Sequence, residues 1–106
     1  MAAYLIANVD IKDAESIRAY LAGTPDVLKK YSGRFLVRGG EQWIAEGEWK
    51  PSRLVIVEFD DLEKAKAFWH SEEYAPLKAI RQSSAYTDMV FVEGLPDEML
   101  NTLHRD

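Results

Sequence analysis

Few side chains in this sequence can move a proton near neutral pH. Histidine is the usual general base in that range, and the chain has two, His70 and His104. His70 follows Trp69 at a predicted helix break, where a histidine more often contacts solvent or the helix dipole than a substrate. We keep His70 as a catalytic candidate and expect His104, in a polar tail, to be inert.

Arg38 and Glu58 form the second chemical feature, because strand alternation puts both on one face of the predicted sheet. An arginine can hold a carboxylate or an enolate, and a glutamate can accept a proton. Arg38 is therefore a ligand-binding candidate and Glu58 a catalytic candidate. The alternative is that the two side chains only pair with each other.

Several other kinds of chemistry lack the residues they need. The chain has no cysteine, which excludes thiolate catalysis, disulfides and a cysteine-based zinc site. No histidine pair has metal-ligand spacing, and GxSxG, P-loop and GxGxxG motifs are absent, so we expect no metal and no cofactor. The net charge is -5, and the single Arg38-Gly39-Gly40 adjoins an apolar strand, which argues against a nucleic-acid partner.

Length and composition indicate one globular domain. The chain has 106 residues, of which 47% are hydrophobic and 29% charged, as in ordinary folded domains. We place this domain at residues 1–94 and treat 95–106 as a C-terminal extension with room for a short helix. The sequence lacks a membrane span and the basic flank of a signal peptide, so we expect a cytoplasmic protein without a membrane partner.

Alternation and boundary residues predict the elements that position these side chains. Strands are predicted at 3–9, at 34–38 with a continuation to about 46 through a bulge at Gly39-Gly40, at 53–59 and at 89–93. The first helical region breaks at residues 23–25, and the second begins at Asp60 and restarts at Ser71. The order β-α-β-β-α-β predicts an α+β, ferredoxin-like fold: a four-stranded antiparallel sheet with two helical segments on one face.

The sheet face that the helices leave uncovered is predicted to be too apolar for water. Alternation assigns Val90 and Val92 to the helix side. The predicted free face comprises Tyr4, Ile6, Asn8, Arg34, Leu36, Arg38, Leu54, Ile56, Glu58, Met89, Phe91 and Glu93. An apolar patch of roughly several hundred Å² makes a monomer sticky, so we expect this face to be buried in a homodimer. Tyr4 and Asn8 would line the resulting cavity.

The segment EGEWKPSR connects the second and third predicted strands. Gly47 permits a turn, and Pro51 suits the loop before a strand because it cannot donate to a ladder. Trp49, with Lys50 and Arg53 nearby, could form a lip over the pocket or cover part of the partner subunit. We favour packing against the partner.

Four sequence blocks in order resemble the domain of unknown function 1330 family over residues 4 to 94: GRFLVRGG, EGEWKPSRLVIVEF, FWHSEEY and LKAIRQSSAYTDMVFVEG. The resemblance implies a ferredoxin-like fold in the dimeric α/β-barrel superfamily, where two sheets close face to face. The matching positions are Arg38, Gly39, Gly40, Glu46, Gly47, Pro51, Arg53, Glu58, Phe59, Ser71, Tyr74 and Arg81. His70 departs from the family pattern, which more usually shows Asn, and this weakens it as a shared general base.

Two functions of different classes follow. By analogy with superfamily relatives such as cofactor-free monooxygenases, the protein would be an enzyme acting on a small carboxylate or aromatic compound bound between the sheet and the helices or the partner. Arg38 would hold the substrate, and Glu58 or His70 would move a proton. The pocket walls would be Tyr4, Trp69 and Phe91. The alternative is a non-catalytic dimeric binding or stress-related module.

Overall fold

One antiparallel sheet, covered on one side by helices, forms the body of the chain. The computed structural model describes residues 1–103, and His104 lies outside them. The elements in chain order are β1 (Ala3–Ile11), α1 (Arg18–Lys30), β2 (Arg34–Arg38), β3 (Leu54–Phe59), α2 (Leu62–His70), α3 (Ala75–Ser84), β4 (Ala85–Glu93) and α4 (Asp97–Leu103). The strand order is β2-β3-β1-β4. The predicted α+β, ferredoxin-like arrangement is confirmed, and α4 falls within residues 95–106, for which a short helix was expected.

The hydrophobic core lies between the sheet and helices α1 to α3. Its nearly inaccessible members include Leu5, Ala7, Val9, Val57 and Phe59 from the strands and Val27, Leu28, Ala65 and Phe68 from the helices. The Phe68 ring lies 4.2 Å from the Tyr74 ring and 5.7 Å from the Phe59 ring, measured between centroids. Burying each such side chain contributes about 1.5–3 kcal/mol, which fixes the helices against the sheet.

Helix α1 is continuous where the sequence predicted a break. Gly23, Thr24 and Pro25 all lie inside it. A proline in a helix interior costs about 3 kcal/mol, because it lacks the backbone N–H and crowds the preceding turn. Burial of Leu28 in the next turn helps to offset that cost. Pro25 nevertheless deprives the Leu21 carbonyl, four residues earlier, of its usual helical donor.

The second helical region follows the prediction except at its first residue. Asp61, not Asp60, caps α2: its carboxylate accepts a hydrogen bond from the Lys64 N–H at 2.8 Å. The chain restarts at Ser71, whose hydroxyl oxygen accepts from the Tyr74 N–H at 3.2 Å. Helix α3 then runs directly into β4 without a loop, so β4 begins at Ala85 and not at residue 89 as predicted.

Strand β4 faces the opposite way from the prediction. Val90 and Val92 point away from the helices, and Val90 is 55% exposed. Met89 and Phe91 point towards the helices, because they pair with Ala7 and Leu5 of the core face. The run MVFV is apolar at every position, so alternation could not choose its facing, and pairing with β1 decides it.

Strand β2 contains a bulge, but at Leu36 and not at the glycine pair. Phe35 pairs with Val57 and Val37 with Ile56, so two residues of β2 span one of β3. A bulge reverses the facing of every later residue. Arg38, which pairs with Val55, therefore lies on the helix side of the sheet. The strand ends at Arg38, and the predicted continuation to about residue 46 is wrong.

Candidate functional site

A cavity of about 40 Å³ lies between the sheet and helix α1. Its walls are mainly core side chains, and its polar wall residues are Tyr20, Thr24, Arg38 and Arg53. Arg38 alone among the lining residues is exposed, so the cavity opens to solvent beside its guanidinium. One water needs about 10–15 Å³ by this measure, so the cavity holds a few non-hydrogen atoms.

Arg38 occupies the mouth of this cavity through contacts with helix α1. Its Nη2 donates to the Leu21 carbonyl at 3.0 Å, which is the carbonyl left without a donor by Pro25. The guanidinium also lies over the Phe35 ring, 4.6 Å from the ring centroid. No carboxylate among residues 1–103 forms an ion pair with it. Arg38 is thus held in place and still carries an uncompensated charge.

Arg53 lines the same cavity as Arg38 and is likewise unpaired with any carboxylate of the described chain. Its Nη1 lies 3.1 Å from where a Cβ on Gly39 would be. Gly39 has φ +73, a backbone conformation that favours glycine. The Asn8 side-chain oxygen accepts from the Arg53 N–H at 3.1 Å. Asn8, predicted to bind a ligand, therefore anchors the start of β3 in this structure.

Glu58 and Tyr4 lie on the other side of the sheet, away from the cavity. Glu58 accepts hydrogen bonds from Arg34 at 2.8 Å and from the Tyr4 hydroxyl at 3.3 Å. Arg34 also approaches Asp60 at 3.4 Å, and these carboxylates raise the pKa of the Arg34 guanidinium, chiefly through the hydrogen bond to Glu58. The alternative in which Arg38 pairs with Glu58 is wrong, because the β2 bulge places the two residues on opposite sides of the sheet and Arg34 pairs with Glu58 instead.

The remaining sequence candidates lie at a third location. Trp69, His70 and Phe91 line a shallow groove of about 190 Å³ with Lys66 and Met89. The Trp69 and Phe91 rings meet edge to face with centroids 6.0 Å apart, a favourable aromatic geometry. His70 is exposed at the C-terminus of α2, where its last-turn position suits the helix dipole.

A buried polar network behind the cavity was missed by the sequence analysis. The Tyr20 and Tyr74 hydroxyls are 3.0 Å apart, and Arg81 Nε donates to the Tyr74 hydroxyl oxygen at 3.4 Å. Burial, followed by interaction with Tyr74, raises the pKa of Tyr20, while Arg81 opposes the rise. Tyr74 and Arg81 are two helical turns apart in sequence, a spacing that could have indicated one shared face of α3.

The sheet face opposite the helices carries a large uncovered apolar surface. We call it the open face: Tyr4, Ile6, Asn8, Val37, Leu54, Ile56, Glu58, Tyr86, Asp88, Val90 and Val92. Residues 40–53, the arm, extend beside it and carry Trp43 and Trp49, which are 88% and 67% exposed. The radius of gyration is 15.2 Å, above the ~13 Å typical of a compact chain of this length.

The described residues provide neither a cluster of metal ligands nor a membrane-spanning helix. Within residues 1–103, no group of three or more histidine, aspartate or glutamate side chains is arranged to hold a metal ion. None of the helices in this range combines the length and apolar character needed to cross a membrane.

The sheet order, the helical layer and the absence of an inserted domain within the described chain define a small ferredoxin-like α+β protein. Comparison with family models gives the particular family. Residues 2–95 match the model described as "Domain of unknown function (DUF1330)", and the chain belongs to that family. A search of curated proteins gave no match.

Solved structures with the same fold include proteins of unknown function and oxygenases. A Rhodopseudomonas palustris protein of unknown function aligns with TM-score 0.73 and 14% identity, covering 90% of this chain and 83% of that chain. A dimeric ferredoxin-like protein of unknown function from Jannaschia gives 0.66 and 11%, covering 89% and 100%. SnoaB, a cofactor-independent oxygenase from Streptomyces nogalater, gives 0.62 and 9%, covering 90% and 94%. At these identities the likeness concerns the fold alone.

Proposed function

We propose that the protein is a cytoplasmic homodimer in which each subunit binds a small carboxylate in the cavity beneath α1. A short apolar tail would enter the cavity, and the carboxylate would stay at its mouth beside Arg38 and Arg53. The observation that carries this proposal is a mainly apolar cavity lined by two arginines, one of them exposed, and neither paired with a carboxylate of the described chain.

The dimer is supported by the open face and the arm. Val90 and the two arm tryptophans expose large apolar surfaces on the side of the sheet that has no helices. Face-to-face packing of two such sheets would bury the same apolar surface on both subunits, as in a two-fold symmetric dimer. The Jannaschia neighbour with the same fold is described as dimeric. The lack of cysteine, which fits a reducing compartment, supports the proposed location.

The ligand class follows from the shape and charge of the cavity. Arginine is a planar, permanently charged donor that matches a carboxylate in a bidentate geometry. A cavity of about 40 Å³ lined by core side chains accepts a short alkyl chain and rejects additional charge. The ligand therefore has one anionic end and a small apolar end.

Binding is better supported than catalysis. The acid–base candidates Glu58 and His70 do not line the cavity, and Glu58 is engaged by Arg34 on the opposite face. Tyr20 does line the cavity, but its raised pKa keeps the phenol protonated near neutral pH. It can donate a hydrogen bond and cannot serve as a base there. SnoaB shares the fold at 9% identity, a likeness that concerns the fold and identifies no catalytic residue in this chain.

The test is an NMR titration of the isotopically labelled protein with sodium butyrate. We expect saturable shifts at the backbone amides of Thr24, Leu28 and Val55, which surround the cavity. Arg38→Gln and Arg53→Gln should each weaken butyrate binding by about tenfold, the effect of losing one hydrogen bond to a charged group. Because Arg38 also donates a hydrogen bond to the Leu21 carbonyl, a loss of affinity in Arg53→Gln is easier to attribute to the ligand contact than one in Arg38→Gln.

Two controls separate charge from volume. Butanol has the same tail without the carboxylate, and we expect it to bind about tenfold more weakly than butyrate. Ala7→Val places two methyl groups in the cavity wall and should block butyrate while leaving both arginines intact. Equal affinities for butyrate and butanol, or unchanged butyrate binding in folded Ala7→Val protein, would reject the cavity as the carboxylate site.

A further inference from the structure

Arg81 is a buried cation without a counter-charge in the described chain. It is 3% exposed, and arginine stays protonated in proteins. Its Nε donates to the Tyr74 hydroxyl oxygen, but its Nη2 has no hydrogen-bond partner and no carboxylate of residues 1–103 pairs with it. A buried charge is strongly unfavourable unless an opposite charge or strong acceptors compensate it.

The surroundings of Arg81 form a groove at the edge of strand β4. The groove measures about 520 Å³ and is lined by Trp69, Arg81, Gln82, Ala85, Tyr86, Thr87, Asp88 and Met89. The buried Thr87 hydroxyl also lacks a partner among the described residues. The guanidinium carbon of Arg81 lies 6.0 Å from the Trp69 ring centroid. Arg81, Thr87 and Trp69 thus line one groove, and the unpartnered Arg81 Nη2 and Thr87 hydroxyl are buried in its wall.

We propose that this groove binds a second class of ligand, a small molecule with one planar carboxylate on a flat aromatic or unsaturated body. Arg81 and Thr87 would donate to the carboxylate, and Trp69 would pack against the body. A planar guanidinium matches a carboxylate better than a point charge does, and the groove volume lies within the range of ligand pockets. The groove differs from the butyrate cavity, because neither Arg81 nor Trp69 lines that cavity, although Met89 contributes to the walls of both.

Two other charges act on this groove. Lys78 Nζ lies 4.2 Å from the Trp69 ring centroid and donates to the Trp69 carbonyl, so it adds positive potential near the aromatic wall. Asp88 is the one carboxylate among the groove-lining residues, and it forms no ion pair with Arg81. Asp88 therefore repels an anion, and Asp88→Asn should tighten its binding.

The experiment is an NMR titration of the full chain with sodium benzoate, with benzyl alcohol as the uncharged control. We expect saturable shifts at the Trp69 indole N–H and at the amides of Gln82 and Thr87. Arg81→Gln should weaken benzoate at least about tenfold, and Thr87→Val, which keeps the shape but removes the hydroxyl, should weaken it severalfold. Arg38→Gln should leave benzoate binding unchanged, which separates this site from the butyrate cavity.

A stability measurement distinguishes a bound small anion from a carboxylate supplied by a second copy of the chain. If the charge of Arg81 is uncompensated without ligand, Arg81→Met should raise the thermal midpoint of the ligand-free protein. A strongly lowered midpoint would mean that the cation already has a partner, and it would overturn the proposal. The proposal would also be overturned if Thr87→Val bound benzoate as tightly as the wild type does, or if the wild type bound benzoate and benzyl alcohol equally. Both of these results can be obtained even if Arg81→Gln fails to fold.

Discussion

Arg38 combines an observed structural contact with a proposed role in ligand binding. Pro25 removes the N–H that would satisfy the Leu21 carbonyl, and the Arg38 guanidinium supplies the replacement at 3.0 Å. The same guanidinium stands at the mouth of the cavity. A stability role and the proposed binding role therefore fall on the same side chain, and a single substitution at Arg38 would affect both.

A double-mutant cycle isolates the stability role of Arg38. We expect Arg38→Ala to lower the free energy of unfolding by about 1 kcal/mol, the net value of a hydrogen bond at a partly exposed site. In a Pro25→Ala background the cost should largely vanish, because residue 25 then has its own N–H for the Leu21 carbonyl. Urea denaturation measures both. Arg18→Ala is the control, because it removes an exposed arginine from α1, the helix that contains Pro25. It should lower the free energy of unfolding by the same amount in both backgrounds. Additive effects of the Arg38 and Pro25 substitutions would contradict the assigned hydrogen bond.

Tyr20 should make the protein sensitive to alkali. Burial raises its pKa in the folded state, so between the unfolded value of about 10 and the folded value the native state holds a proton that the unfolded state releases. This contribution is complete below about pH 10 and declines above it by up to about 1.4 kcal/mol per pH unit. Wild type should lose more stability than Tyr20→Phe in denaturation curves above pH ~10. A constant difference between the two proteins across this range would contradict the prediction.

At the scale of elements, the β2–arm junction depends on one backbone conformation. Gly39 combines φ +73 with an Arg53 guanidinium 3.1 Å from its would-be Cβ. We expect Gly39→Ala to cost about 1–2 kcal/mol from the backbone alone, measured by thermal or urea unfolding. Gly40→Ala is the matched control, because no atom lies within 4 Å of its would-be Cβ and its φ is not positive. Equal effects of the two substitutions would refute the explanation.

The same elements explain how far sequence reasoning could go. Element order and the helix-facing residues of β1 and β3 were predictable, because Leu5, Ala7 and Val57 alternate with less buried neighbours. The facing of Val90 was not, since β4 is apolar on both sides and its register comes from β1. Arg38 was misassigned because a bulge at Leu36 has no Gly or Pro to mark it. The sequence therefore identified Arg38 as a binding candidate but assigned its side chain to the wrong side of the sheet, so the cavity beneath α1 was not predicted.

At the scale of the whole molecule, the exposed open face and the arm connect the stability of the fold with the proposed dimer. If the dimer is the stable native state, the unfolding midpoint rises with protein concentration by mass action. Ile56→Asp places a charge at the centre of the open face, and burying an unpaired charge is far more costly than exposing it. We therefore expect this variant to sediment as a monomer at micromolar concentration and to lose the concentration dependence of its midpoint. Lys29→Asp, which changes an exposed residue on the helical side, should still sediment as a dimer and keep the concentration dependence of its midpoint. A wild-type protein that sediments as a stable monomer would refute the dimer.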